Sequence, residues 1–353
     1  MPNRIKVFLG AYLNQTNAQN LNCLSLAKYL DKSKFEIYAL EINHGNLGRL
    51  SIDGVNTFNC IYPVKLTQWL GFFWGIHKSD VAYLPRGNNF KLQRLLVKIY
   101  KRKSFKTVEN VIDAESLKTA LSVLGTVQRA RENYSFTTKT FSITSFMRRY
   151  NRERHGIISE DLILPPVIDT ALFNEIGFVR KSINRIVFLG NDMKRKRVND
   201  FVHLSKLYPS IKFLIIGKDR GYLENILSSG SYNNLTYLGM LTHSILLEKL
   251  KECDLHILTS KSEGFPKGII ECAAAGIPSL VFNDYGAEEW IQNWENGVVC
   301  ETLEDMEQAI KKLIETPGLM SQCSKGAIEL SEQYGVKKVV SLYEKVIEDL
   351  YAS

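Results

Sequence analysis

The chain has 353 residues, of which 45% are hydrophobic and 23% charged, with a formal net charge of +8. That length suggests two domains with sizeable cores, and the composition is ordinary for a soluble protein rather than a disordered or fibrous one. No apolar run reaches the roughly 18 residues of a membrane-spanning helix. Six scattered cysteines (Cys23, Cys60, Cys253, Cys272, Cys300, Cys323) form no CxxC pair or metal-ligand spacing, which argues against disulfide frameworks and zinc modules.

The charge is uneven. Residues 1–165 hold 24 Lys/Arg and 12 Asp/Glu, whereas residues 166–353 hold 21 and 25. A basic first half fits an anionic partner such as a lipid headgroup or lipid phosphate; plain solubility is the bland alternative. A nucleic-acid partner is not expected, because no recognised binding module accompanies the basic half.

In chain order, "MPNRIKVFLGAYL" turns polar too soon for a signal peptide and reads as a first strand. With reduced thiols, this points to a cytosolic protein. "FEIYALEI", "VAYLP", "KTVENV", "TFSITS" and "DLILPP" read as further strands, with helices at "LNCLSLAKYLDK" and "NFKLQRLLVKIYKRK". Pro165 and Pro166 stop a strand and open an aperiodic stretch, so a domain boundary is expected there. Beyond it, "RIVFLG", "IKFLIIG", "LTYLG", "DLHILTS", "IPSLVF" and "NGVVC" read as strands, interleaved with helices such as "VNDFVHLSKL", "SILLEKLKEC" and "EDMEQAIKKLIE". The alternation predicts two parallel sheets covered on both faces, that is, an α/β protein of two doubly wound, Rossmann-like domains. Expected domains are residues 1–166 and 167–335. Residues 336–353, "VKKVVSLYEKVIEDLYAS", form an amphipathic helix. Ligands in such folds bind at the carboxyl ends of strands, and the cleft between two such domains is the natural site.

The most informative stretch is "SEGFPKGIIECAAAGIP", residues 262–278. A Gly-Phe-Pro turn runs into a small-residue helix expected to start near Pro266. Unpaired amides and the positive dipole end at such a start suit an anion. Glu263 and Glu271 flank the turn, and carboxylates, as pure acceptors, suit vicinal hydroxyls. Taken singly, Glu263 also reads as a loop carboxylate capping the helix, and Glu271 as a surface helix residue. Upstream, Lys194, Arg195, Lys196 and Arg197 form a cationic run at a helix start, where they oppose the dipole unless an anion binds.

These residues resemble the E-x7-E signature of family-four (group 1) retaining glycosyltransferases of the GT-B fold. "FLGNDMKRKRVNDFV", "FLIIGKD", "LTYLGML" and "ILPPVIDTALF" resemble further segments of that family in the same order. The resemblance is strong over about residues 140–300 and weak before that. It implies a cleft between two facing domains, with the C-terminal helix crossing back to the first domain. It also implies a nucleoside-diphosphate-sugar donor and no cofactor. Glu271 would hold the ribose hydroxyls and Glu263 the donor sugar. Gly264, Phe265, Pro266, Lys267 and Gly268 would line the donor, and Lys196 would bind the diphosphate with Arg195 or Arg197. Gly190, Gly217, Lys218 and Leu241 fall in the matching donor-side turns. Asn191 stands where the family usually places an arginine.

In the first domain the family's Gly-Gly loop is replaced by "GAYLNQTNAQN". Gly10, Asn14 and Gln15 are the acceptor-side candidates there, and Glu109 and Asn110 stand where many members carry a histidine. None of the six histidines has zinc-ligand spacing, and His203 and His243 read as non-catalytic. No Asp-x-Asp triplet occurs, which agrees with metal-free stabilisation of the leaving group.

"WLGFFWGIHK" and "LLVKIYKRKSFK" put aromatics beside cations, which suits either peripheral docking on an anionic membrane or a core cluster and a solvated helix face. The reading is a cytosolic, peripheral glycosyltransferase acting on a glycan or lipid-linked acceptor in surface polysaccharide synthesis. Alternatives are a nucleotide-sugar epimerase of the same architecture and a non-catalytic partner subunit. Donor base, donor sugar and oligomeric state are not specified by these motifs.

Overall fold

A computed structural model of the chain describes residues 4–43, 50–87, 89–110, 125–218, 220–228, 230 and 232–353. The part of the "KTVENVIDAES" stretch beyond Asn110 lies outside them. The chain divides into two compact units, Met1–Val167 with Val336–Ser353, and Ile168–Gly335.

The first unit contains β1 (Ile5–Tyr12), α1 (Ala18–Tyr29), β2 (Phe35–Ile42), β3 (Val55–Cys60), α2 (Val64–Lys78), β4 (Val81–Tyr83), α3 (Phe90–Ile99), β5 (Lys103–Val108), α4 (Val127–Ser135), β6 (Lys139–Ser142) and α5 (Ser145–His155). The second contains α6 (Ala171–Asn174), β7 (Arg185–Leu189), α7 (Val198–Leu207), β8 (Lys212–Ile216), α8 (Arg220–Leu227), β9 (Leu235–Gly239), α9 (His243–Lys251), β10 (Leu255–Leu258), α10 (Lys267–Ala274), β11 (Ser279–Phe282), β12 (Gly297–Cys300), α11 (Leu303–Glu315) and α12 (Leu319–Gln333). The last helix, α13 (Val336–Ala352), returns to the first unit.

Each unit is built on a six-stranded sheet, ordered β3-β2-β1-β4-β5-β6 and β12-β11-β10-β7-β8-β9, with all neighbours parallel. Counted from the first strand of each unit, both orders are the doubly wound 3-2-1-4-5-6. Strand order therefore reverses between β1 and β4 in one sheet and between β7 and β10 in the other. Those two positions are where the fold opens a crevice at the strand ends.

The strands are apolar because both faces are covered. On one face of the first sheet, Leu9, Ile37 and Val81 pack with α1 and with Val339, Tyr343, Val346 and Leu350 of α13. On the other face, Phe8 meets Phe72 of α2 edge-on, with centroids 5.9 Å apart. A buried Asn22 pins α13. Its Nδ2 donates to the hydroxyls of Tyr83 and Tyr343 at 3.1 Å each, and its Oδ1 accepts from the Val167 amide at 2.7 Å. In the second unit, Phe188, Phe201, Phe213 and Ile257 centre the core. All six cysteines are buried and none is in a disulfide.

The structure corrects parts of the sequence reading. "DLILPP" is not a strand; only Ile163 makes an isolated bridge to Ser142 before the prolines intervene. "VNTFNC" is a strand, β3, whose polar residues tolerate a sheet edge. "WLGFFWGIHK" lies within α2, while α4 and α5 arise from strongly polar segments. Thr126 and Thr144 start those two helices by accepting the Arg129 and Met147 amides at 3.1 Å.

Candidate active site

The site forms where the second sheet reverses. The chain leaves β7 at Gly190, and an added Cβ there would stand 2.3 Å from Lys196 Cδ. The missing side chain lets the lysine stem fold back over the strand end. Gly217, which follows β8 with φ +149°, would drive a Cβ to 1.7 Å from the Gly190 carbonyl oxygen, so that position is closed to larger residues, whereas a Cβ at Gly190 would displace the Lys196 stem. Asn191 Oδ1 accepts the Lys218 amide at 2.8 Å and ties the two strand-end turns together. Asn191 thus braces the loop.

From Asp192 the chain makes a tight turn into α7, with Asp192 and Arg197 both at left-handed φ, 58° and 51°. The Thr259 hydroxyl, just past β10, lies 2.8 Å from the Lys196 carbonyl and 2.9 Å from that of Arg197, and its proton is shared between them. This crosslink fixes the cationic loop against the next strand end. There Lys196 Nζ stands 2.5 Å from Glu263 Oε1, their side chains only 12% and 10% exposed. Arg195 reaches the same oxygen at 3.5 Å and donates to the Ser262 carbonyl at 2.5 Å, while Asp192 holds its Nε at 3.2 Å. A nearly buried ion pair is weak evidence for stability, because desolvation offsets the attraction.

Arg197 turns the other way. It pairs with Asp200 at 2.7 Å and lies over the Phe282 ring at 5.6 Å. Lys261 covers the same ring at 5.1 Å.

The turn after Glu263 ends at Pro266, the residue before α10, whose first helical residue is Lys267. Pro266, the N-cap residue of α10, makes no side-chain cap hydrogen bond. Gly268 faces β7, where an added Cβ would meet Leu189 Cβ at 3.6 Å, an ordinary contact. Phe265 anchors the turn against Trp290 and Tyr334, centroids 5.3 and 5.2 Å away. Glu271 sits one turn into the helix and is partly buried rather than on the surface. Burial raises its carboxyl above the ordinary range, and Lys267 opposes this.

Two groups beneath the site had no signal in the sequence. His256 is buried in β10, its Nδ1 2.9 Å from Ser279 Oγ. Burial, then the Lys196 charge, lowers its pKa to about 3, so the ring is neutral. Tyr285 is buried close enough to Glu263 for that charge to add to the effect of burial in raising its pKa well above the ordinary value. Among the described residues, neither the Tyr285 hydroxyl nor His256 Nε2 has a hydrogen-bond partner.

Gly217 and Lys218 also border a cleft of about 660 Å³ at the ends of β8 and β9, with Glu224, Tyr237 and Met240. The Tyr237 hydroxyl donates to the Gly217 carbonyl at 3.0 Å. Leu241 packs into the core beside it. His203 is exposed on α7.

The first-unit candidates are mostly engaged in structure. Gly10 lies in β1 where a Cβ would meet Leu84 at 2.8 Å. Asn14 exchanges hydrogen bonds with the backbone of Ile42 at 2.8 and 3.0 Å, and Gln15 follows in a half-exposed turn. Glu109 accepts from the Thr107 hydroxyl at 2.9 Å, and the Asn110 carbonyl accepts from Asn151 at 3.0 Å. The sequence reading overlooked Arg86 in "LPRGNN". It lies over the Tyr12 ring at 4.6 Å and donates to Asn20 Oδ1 at 3.1 Å, where the first sheet reverses. A proline–arginine pair directly after a strand was the available signal.

Residues 173–330 match the family model of Glycosyl transferases group 1. Over 149 residues the chain is 27% identical to an uncharacterized glycosyltransferase of Haemophilus influenzae, covering 41% of this chain and 42% of that protein. It is 27% identical over 179 residues to N,N'-diacetylbacillosaminyl-diphospho-undecaprenol alpha-1,3-N-acetylgalactosaminyltransferase of Campylobacter jejuni, covering 47% and 46%. The chain thus spans about half the length of the curated relatives it matches. Among solved structures, Anabaena HepE in complex with UDP-glucose aligns over 98% of this chain and 100% of that one, with a TM-score of 0.78 at 14% identity. The chain therefore has the GT-B fold, and its second unit is similar to the group 1 glycosyl transferases.

Proposed function

We propose that this protein is a retaining glycosyltransferase, moving a sugar from a nucleoside diphosphate to an acceptor hydroxyl. The observation that carries the reading is the Lys196–Glu263 pair at 2.5 Å, held by two strand-end loops at the reversal point of the second sheet. Departure of a nucleoside diphosphate develops negative charge on the leaving phosphate. Lys196, with Arg195 beside it, supplies fixed positive charge there without an Asp-x-Asp metal motif. Preorganised charge in a dry site is worth several kcal/mol, about 2.7–4 for one donor in comparable cases.

Glu263, already partnered by the ammonium, accepts from a sugar hydroxyl near the reacting carbon. Glu271 accepts from the ribose diol, which relieves the cost of keeping its buried carboxylate ionised. The start of α10, where Pro266 supplies no side-chain cap, offers amides to the sugar or phosphate oxygens. The cleft beside Gly217 and Lys218 accommodates the nucleoside. In the front-face chemistry of this family, the departing phosphate oxygen takes the acceptor's proton.

The Campylobacter relative is named for an undecaprenol diphosphate acceptor. That name, with the basic first half of this chain, supports a lipid-linked or surface-glycan acceptor and work at the cytoplasmic side of a membrane. Among the described residues, no helix is long and apolar enough to cross one.

The test is a thermal-shift screen of the full chain across nucleotide sugars, followed by product analysis with the one that stabilises most. Stabilisation by one donor supports the reading, because a ligand binding only the folded state raises the melting temperature. No stabilisation by any donor contradicts it.

A further inference from the structure

Helix α2 is apolar on two opposite sides. Its inner side, Gly71, Phe72, Gly75 and Ile76, is buried on the first sheet, and a Cβ at Gly75 would stand 2.1 Å from the Phe8 ring. Its outer side continues a stripe that begins at Tyr62. Leu66, Trp69, Leu70 and Phe73 follow at helical spacing, with Trp69 53% and Phe73 47% exposed. The neighbouring α3 adds exposed Leu95 and Ile99. Phe73 meets Tyr100 edge-on at 5.7 Å, and Arg102 donates to the His77 carbonyl at 2.9 Å, so the two helices are fixed side by side. Single exposed apolar residues are ordinary, but a continuous stripe of this kind marks an interaction surface.

The charges around the stripe indicate its partner. Residues 61–107 hold ten Lys/Arg and one carboxylate, Asp80. Asp80 is committed to the amide of Lys6 at 2.9 Å. Lys65, Lys78, Lys91, Arg94, Lys98 and Lys101 are all exposed on these helices and the turns after them, and among the described residues none enters an ion pair. A second copy of the chain would set cations against cations. A bilayer with anionic headgroups offers the complement to both features. Trp and Tyr rings favour the interfacial layer, and lysine stems lie along apolar surface while their ammonium groups reach phosphate.

We infer that the α2–α3 face docks the protein onto an anionic phospholipid bilayer, with Trp69, Leu70 and Phe73 entering the headgroup layer and the surrounding cations binding lipid phosphates. This deepens the membrane-side part of the proposed function, but the docking needs no donor and no transfer step.

The experiment is co-sedimentation of the full chain, without nucleotide, with vesicles of phosphatidylglycerol and phosphatidylcholine or of phosphatidylcholine alone. Binding to the anionic vesicles should be stronger by about tenfold or more, because each cation near the surface adds to the attraction. The exposed-residue variant W69S/F73S should lose about tenfold in binding, and R94E/K98E should lose the preference for anionic lipid. Because F73S also removes the contact with Tyr100, native circular dichroism is required of both variants before their binding is compared. Equal binding to both vesicle types, or unchanged binding by W69S/F73S, overturns the proposal. So does self-association that W69S/F73S abolishes, with no vesicle binding by the parent chain. A chain that binds vesicles but no nucleotide sugar would retain the docking surface while refuting the transferase reading.

Discussion

Lys196 and Glu263 lie 67 residues apart in the chain, yet their charged atoms stand 2.5 Å apart. The contact exists because β7 and β10 are neighbours in the second sheet, so the loops that leave their carboxyl ends meet. Gly190 clears the space that the lysine stem occupies, and Thr259 holds the backbone that carries it.

Removing one member of the pair should cost both stability and turnover. Lys196→Met leaves the Glu263 carboxylate nearly buried without its closest cation, at a cost of about 1–3 kcal/mol. Turnover should fall by about 10²–10³ if Lys196 meets the leaving phosphate. The double variant Lys196→Met/Glu263→Gln should recover much of the stability, measured by urea unfolding, and none of the activity. A double variant less stable than Lys196→Met alone would show that the pair is not an isolated unit.

Donor binding should release protons through Glu271. Burial raises this carboxyl, and the folded state therefore holds its proton to higher pH than the unfolded state does. Hydroxyl donors from a ribose favour the ionised form and pull the pKa back down. Affinity should therefore rise with pH through the mildly acid range. Calorimetry in two buffers of different ionisation heat measures the protons released, and Glu271→Gln should remove that release. Persistence of the full release in Glu271→Gln would assign it to another group.

Acid should destabilise the second unit through His256. The folded pKa of about 3 lies below the ordinary histidine value of 6.5, so between these limits the unfolded state binds the extra proton. Stability is thus lost as pH falls from 6.5 towards 3, by up to roughly 1.4 kcal/mol per pH unit from this group. His256→Asn should lower stability at neutral pH yet flatten the decline, as read from urea midpoints at several pH values. An equally steep decline in the variant would clear His256 of the effect.

The return of α13 to the first unit should be stabilising. Leu350 is fully buried with Val346 and Ile347 against the first sheet, and Leu350→Ala should cost about 2–5 kcal/mol. Tyr343→Phe removes one of the two hydroxyls that accept from Asn22, at about 1 kcal/mol. Denaturant midpoints followed by a probe in the first unit read both changes. A Leu350→Ala chain as stable as the parent would mean that the helix is not part of that core.

Much of the architecture was legible because each parallel strand is a short apolar run and each helix a longer periodic one. The exceptions have physical causes. β3 carries Asn56, Thr57 and Asn59 because an edge strand needs less burial, so its sequence lacks the apolar signal. Helices α4 and α5 bury little apolar surface, and their signals lay in the threonine caps instead. Glu263, Glu271 and Lys196 stood out because a Gly-Phe-Pro turn and a cationic helix start are local patterns. Their partners were not: Thr259, His256 and Tyr285 reach the site through strand adjacency, which no local window contains. Asn14, an acceptor-side candidate, also extends hydrogen bonding at the end of β2, which no local window contains.

The most direct test of the site is calorimetric titration of nucleoside diphosphates, UDP first and then GDP and ADP, into the parent chain, Glu271→Ala and Lys196→Ala. The account predicts that one diphosphate binds the parent. Glu271→Ala should weaken it by about 1.5–3 kcal/mol, equivalent to roughly 10- to 150-fold in Kd. Lys196→Ala should weaken it less and mainly lower turnover. A parent that binds none of the three, or a Glu271→Ala chain that binds with the parent's Kd, would contradict the claim that this strand-end crevice holds a sugar nucleotide.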